Sequence, residues 1–185
     1  IGKVKSIPAQ SILFNIDQKA DTGSPKGTDA ILSVFVKVFN EACGYYGKHA
    51  YIAKFERDLD REGLLDAFKA EYQILSGKDW MIGRAMAEME DHNVSKAYAK
   101  IKNAPEGSVN SLLSNYSHNY KVSIEEFTQD VAEYIKKRDK DFRLVFCVDE
   151  IGQFIADNTK LMLNLQTISE SFYSVCKGKA WIMVT

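Results

Sequence analysis

The residues best placed to do chemistry are a pair of adjacent carboxylates, Asp149 and Glu150, which directly follow the apolar run Leu144-Val145-Phe146-Cys147-Val148. Consecutive apolar residues suit a strand buried on both faces, as in a parallel sheet covered by helices. Open α/β sheets bind ligands beyond the carboxyl ends of their strands, which is where this pair falls. There an aspartate can hold Mg²⁺, directly or through water, and the next acid can orient and activate water for attack on a phosphoryl group. The pattern predicts Asp149 as the metal- and cofactor-binding carboxylate and Glu150 as the catalytic one. The bland alternative is an acidic strand end leading into an exposed turn.

The surroundings favour the first reading. Gly152 reads as a turn glycine, and Asn158 can cap a helix running to Cys176. Strand, D-E pair, turn and capped helix together make the Walker B pattern of P-loop NTPases. The matching Walker A loop, G-x-x-x-x-G-K-[ST], occurs nowhere in the 185 residues. The final run, Ala180-Trp181-Ile182-Met183-Val184-Thr185, is an apolar strand with a hydroxyl at its tip. In ATPases of the AAA+ type a polar residue at that place helps position the attacking water, so Thr185 is a second catalytic candidate. The alternative for Thr185 is a β-branched strand residue without a role.

Other polar residues carry weaker signals. Asn15 and Asp17 end the first apolar run, followed by Lys19 and Asp21, and read more readily as a loop start than as a nucleotide edge. Arg84 could stabilise γ-phosphate charge in trans, but a surface helix arginine is the commoner case. His49, His92 and His118 have no metal-ligand spacing. Tyr45, Tyr46, Tyr51, Tyr116 and Tyr120 could stack on bases, but without a basic stripe among them they read as packing residues.

The elements that must position these groups follow from periodicity. Ser11–Asp17 is the first strand, and residues 21–26, with Gly23 and Pro25, are a polar loop. Thr28 can cap a helix from Asp29 to about Cys43. Helices are expected over 51–62, 64–75, 80–91 (capped by Asp79) and 94–102, with a loop around Pro105. Ser123 and Glu126 form a capping box opening a helix to about Arg138. Strand, helix, helical block, strand, helix, strand argues for an α/β fold with a parallel sheet of about three strands. The block 45–140 is too long for one crossover and reads as a helical insertion between 1–44 and 141–185.

Composition sets the remaining bounds. Apolar residues make up 45 % and charged residues 26 %, ordinary for a soluble globular chain. The net charge of −1 gives no global electrostatic attraction to nucleic acid or acidic lipid. No apolar run approaches the roughly 20 residues of a membrane span. Cys43, Cys147 and Cys176 lie far apart in apolar patterns and read as reduced core residues of a cytoplasmic protein. Opening on Ile1 and stopping at a strand tip, the chain reads as a piece of a longer protein.

Several stretches taken together resemble a known family. They are Ser6-Ile7-Pro8-Ala9-Gln10-Ser11-Ile12-Leu13-Phe14-Asn15-Ile16-Asp17-Gln18-Lys19-Ala20-Asp21, then Val34-Phe35-Val36-Lys37-Val38-Phe39-Asn40-Glu41 with Gly44-Tyr45, and Gly77-Lys78-Asp79-Trp80 with Arg84. Phe146-Cys147-Val148-Asp149-Glu150-Ile151-Gly152-Gln153-Phe154 and Trp181-Ile182-Met183-Val184-Thr185 complete the set. It resembles the BrxC/PglY family, the AAA+-like P-loop ATPases of BREX phage-defence systems. The resemblance implies ATP hydrolysis with Mg²⁺ in a cytoplasmic multi-protein system that methylates host DNA and blocks phage replication. It implies other subunits of the defence complex as partners, DNA only indirectly, and no membrane. Its site residues would be Asp149, Glu150 and Thr185.

The same resemblance implies that residues 1–185 are a fragment of one ATPase domain whose phosphate-binding loop precedes residue 1. The carboxylate strand would then be the central one of three neighbours, and 180–185 an exposed edge. A second copy, a symmetry mate or residues 1–10 folded back would cover that edge, so self-association through it is expected. Alone, the fragment would hold no ATP or Mg²⁺ and be inactive. Two other readings stay open: a non-catalytic α/β interaction module, and a metal-dependent phosphoesterase, which needs further strand-end acids where only Asp17 is offered.

Overall fold

The computed structural model describes residues 7–20, 27, 29–105 and 107–185. In chain order its elements begin with strand β1 (Ala9–Asn15) and helices α1 (Ile16–Lys19), α2 (Ala30–Ala42), α3 (Ala50–Arg61), α4 (Leu65–Ser76) and α5 (Trp80–Gly83). After a 3-10 turn at Arg84–Met86 come α6 (Ala87–Ile101), α7 (Leu112–Asn119) and α8 (Ile124–Lys136). Strand β2 (Arg143–Asp149), α9 (Ile151–Ile155), α10 (Thr159–Cys176) and β3 (Ala180–Val184) complete the chain. It divides into two compact units, residues 1–42 with 122–185, and residues 43–121.

The first unit is α/β. Its sheet is parallel, in the order β1-β2-β3, so the carboxylate strand is central. Each strand steps the same way across the sheet, and crossovers of one hand then place the connecting helices on one face. Phe146, fully buried on that face, meets Phe35 and Phe39 of α2, Phe127 of α8 and Phe172 of α10 at ring-centroid distances of 5.3, 6.4, 6.2 and 5.4 Å. A buried aromatic of this kind contributes about 1.5–3 kcal/mol relative to exposure. Leu144, Phe146 and Val148 are buried while Val145 and Cys147 are only partly covered. The expected burial of β2 on both faces is therefore not what forms: the strand alternates, because the described helices dress a single face.

The second unit is all helical, built around Phe55, Phe68, Tyr72 and Trp80. Its limits, 43–121, are narrower than the 45–140 block expected from sequence. The helix opened by Ser123 packs in the sheet unit, where Phe127 reaches Phe146 and Phe172. The helix expected over 80–91 breaks at Gly83–Met86, and residues 87–101 run as one helix. The residue that leaves helical geometry is Met86, at φ −119° and ψ 32°. Gly83 stays helical and admits the Tyr72 ring, since a Cβ there would lie 2.0 Å from the Tyr72 hydroxyl oxygen. The first strand stops at Asn15, two residues earlier than expected, because Asn15 caps α1 instead. The expected loop at 21–26 and the Thr28 cap lie outside the described residues.

Candidate functional site

Register brings the strand ends together. Asn15 pairs with Asp149, and Val184 with Val148, so Thr185 follows into place beside Asp149. The backbone N–H of Thr185 continues the ladder to the carbonyl of Val148 at 3.1 Å. The Thr185 hydroxyl then donates to Asp149 Oδ1 at 2.6 Å. Opposite, Asn15 Nδ2 donates to Glu150 Oε2 at 2.5 Å. The Asn15 amide is fixed at its other end, where Oδ1 accepts from the Gln18 backbone N–H at 3.1 Å and caps α1. Only the amide nitrogen is left to face the carboxylate.

Glu150 occupies the left-handed region, φ 60° and ψ 23°. A non-glycine residue there costs on the order of 1 kcal/mol, and such strain persists only where surrounding contacts enforce it. The contacts here are Ile151, Phe154 and Ile155, all buried, which anchor α9 immediately after the turn. The turn is therefore made by Glu150 itself, and Gly152, expected as the turn glycine, lies inside α9. Both Asp149 and Glu150 are exposed. Among the described residues, each carboxylate keeps one oxygen without a hydrogen bond: Oδ2 of Asp149 and Oε1 of Glu150.

The structure thus brings together all three sequence-predicted residues, Asp149, Glu150 and Thr185, and adds Asn15. The sequence signal for Asn15 was present, an asparagine at a strand end three residues before Gln18, but its partner lies 135 positions away. Asp17 falls in the first turn of α1, so the further strand-end acid a phosphoesterase would need is not at a strand end. No group of three or more His, Cys, Asp or Glu side chains that could hold a metal occurs among the described residues. A Mg²⁺ ion at a nucleotide site takes one or two carboxylates and fills its other positions with water and phosphate oxygens. The unbonded Oδ2 of Asp149 is one oxygen donor of that chemical type.

The remaining candidates are structural. Arg84 donates to Glu56 Oε1 at 3.0 Å and stacks on the Tyr46 ring at 5.1 Å. Both contacts lie within its own unit, and its Nε has no hydrogen-bond partner among the described residues. Tyr45 donates to Asp60 at 2.8 Å and Tyr116 to Asp58 at 3.0 Å. Burial first, then the neighbouring carboxylate, holds each phenol above its ordinary range. His118 Nδ1 lies 2.7 Å from the Ser114 carbonyl in its own helix. Lys19 is tied to Glu41 at 2.7 Å. No helix among the described residues is long and apolar enough to cross a membrane. No family model matches the chain, and no solved structure matches it.

Proposed function

We propose that this chain is the carboxylate-bearing part of a P-loop ATPase, and that its hydrolytic machinery is the cluster Asn15, Asp149, Glu150 and Thr185. One observation supports the reading above the rest: a carboxylate pair, a hydroxyl and an amide converge at the carboxyl edge of a parallel sheet, with carboxylate oxygens left unspent. Sheets of this class recruit ligands at that edge.

The chemistry divides among these side chains. The Thr185 hydroxyl holds Oδ1 of Asp149, which leaves Oδ2 available to a cation. Mg²⁺ bound there would neutralise phosphate charge and orient the substrate. The Asn15 amide holds Oε2 of Glu150, which leaves Oε1 to accept a proton from an attacking water. General-base help of this kind is worth typically 10²–10⁴-fold. Phosphate affinity in such enzymes rests mainly on the backbone amides and lysine of a G-x-x-x-x-G-K-[ST] loop, a motif the 185-residue sequence does not contain. The proposal therefore includes a phosphate-binding loop on another segment of the protein. The sequence resemblance makes BREX defence the candidate setting, with other subunits of that system as partners in the cytoplasm.

The test is Glu150→Gln in the protein that carries this chain together with a G-x-x-x-x-G-K-[ST] segment. ATP binding should persist while steady-state hydrolysis falls at least 100-fold, the lower end of general-base effects. Hydrolysis unchanged by that substitution removes Glu150 from the mechanism. Tight ATP binding by the 185-residue chain alone, measured by calorimetry, contradicts the division of labour.

A further inference from the structure

The helical unit repeatedly sets a cation over a tyrosine ring. Arg57 lies 4.9 Å from the Tyr45 ring centroid, Arg84 5.1 Å from that of Tyr46, and Lys102 Nζ 5.5 Å from that of Tyr98. Positive charge is drawn to the electron-rich face of the ring. Tyr51, in the same unit, differs. Among the described residues no cation stands over its ring, and its hydroxyl makes no hydrogen bond. Burial first, then the charge of Glu88, holds the Tyr51 phenol above its ordinary value. The Glu88 carboxylate itself has neither an ion pair nor a hydrogen bond among the described residues.

A cavity of about 230 Å³ opens beside this pair, with walls that include His49, Tyr51, Met86, Glu88 and Met89. Three local features build it. His49 is the N-cap residue of α3, but its side chain makes no cap bond. Its ring lies instead in a row, with centroids 5.8 Å from Tyr46 and 5.7 Å from Tyr51 and tilts of 51° and 37°. Met86 leaves helical geometry, which separates the 3-10 turn from α6. Glu88 then falls in the first turn of α6, where its charge offsets the partial positive charge of that helix end. Asp91, further along the same helix, accepts from the backbone N–H groups of Leu113 and Ser114. Glu88 is therefore the carboxylate left to the cavity.

These walls select a guest by charge and by hydration. Two rings, two thioethers and one carboxylate suit positive charge, and an anion would meet Glu88. Ca²⁺ takes about six to eight oxygen ligands, far more than the Glu88 carboxylate and the Tyr51 hydroxyl supply. A lysine-type ammonium is compact and strongly hydrated, with three N–H donors to satisfy. Methylation removes those donors and spreads the charge over methyl groups, which pack on ring faces and on polarisable thioethers. The volume suits one such head group, since whole small-molecule ligands occupy pockets of about 300–1,000 Å³.

We propose that this cavity binds a methylated ammonium group, held against the His49 and Tyr51 rings with Glu88 as its counter-charge. The inference rests on the helical unit alone and does not depend on the ATPase reading. Proton NMR titration of the 185-residue protein tests it with three probes. They are choline, dimethylbutanol, in which carbon replaces the nitrogen, and ethanolamine, which lacks the methyl groups. Ring currents should move the choline methyl signal upfield, and choline should bind about tenfold more tightly than either analogue. Glu88→Gln, at an exposed position, and Tyr51→Leu should each weaken choline about fivefold or more, while Tyr51→Phe, which keeps the ring face, should not. No saturable binding of choline, equal affinity for dimethylbutanol, or indifference to Glu88→Gln overturns the proposal. Ethanolamine binding as tightly as choline overturns it too, since the methyl groups would then contribute nothing. A peptide bearing trimethyllysine separates the two sources of such a group, and either result upholds the site. Binding about tenfold tighter than choline assigns the group to a polypeptide, and equal or weaker binding assigns it to a free solute.

Discussion

The two units use polar side chains in opposite ways. In the helical unit a buried carboxylate collects several donors, although Arg84 Nε beside it has no hydrogen-bond partner among the described residues. Glu56, 1 % exposed, accepts from Trp80 Nε1 at 2.7 Å, from Arg84 at 3.0 Å and from the Tyr46 backbone N–H at 2.7 Å. Asp91 of α6 accepts from the backbone N–H groups of Leu113 and Ser114, capping α7, whose own N-cap residue Ser111 is left-handed and makes no cap bond. In the sheet unit Asn15, Asp149, Glu150 and Thr185 gather at an exposed edge, each carboxylate with an oxygen to spare. Saturated networks specify packing, while unsaturated ones at a surface are available to a ligand.

Stability measurements can break this contrast. The largest effect is expected for Glu56→Ala, which leaves the Arg84 guanidinium buried without its partner and should cost about 3–5 kcal/mol in urea unfolding. Glu150→Ala, at the exposed site, should change stability by no more than about 0.5 kcal/mol in the same assay. A large loss for Glu150 with a small one for Glu56 would invert the assignment of roles. Gly83→Ala comes next: its Cβ would meet the Tyr72 ring, and overpacking of that kind costs about 1–3 kcal/mol. A melting temperature equal to wild type would show that the ring moves aside freely.

The smallest effect is a pH dependence within the helical unit. Lys78, then Asn93, hydrogen-bond the Glu90 carboxylate and hold its pKa below the ordinary 4.5. A depressed folded-state pKa means that this contribution is complete above 4.5 and is lost as pH falls through the lower folded value. Lys78→Met should flatten the acid limb of stability against pH without altering the neutral plateau beyond the loss of the pair. An acid limb of unchanged slope would place the titration elsewhere.

Much of the sheet unit was legible in the sequence, because its signals are local. The apolar runs gave β2 and β3, Asn158 and Ser123 gave the caps of α10 and α8, and Asp149-Glu150 marked the strand end where Asn15 and Thr185 converge. What was not legible depends on distant partners. α7 is short and weakly apolar, and its N-terminal cap is Asp91, from another helix. The break after α5 falls at Met86, which no adjacent Gly or Pro in the sequence marks. The Asn15 contact needs the register of β1 on β2. Val145 and Cys147 are as apolar as their buried neighbours, so no composition signal separates the bare face of β2 from the dressed one.

The division of the sheet unit around the helical unit also sets an order of events in time. Residues 43–121 are contiguous and can complete their core as soon as they leave the ribosome. β1 is made first but must wait for β2, whose Asp149 pairs with Asn15 across the intervening residues 16–148. Closing a loop of that length is slow and costly while the intervening chain is loose, and easier once that stretch has collapsed into a compact body. Nascent chains should therefore hold β1 unpaired, with Leu13 and Phe14 open to a chaperone, until the carboxylate strand arrives, and the site is completed only when β3 brings Thr185 to Asp149.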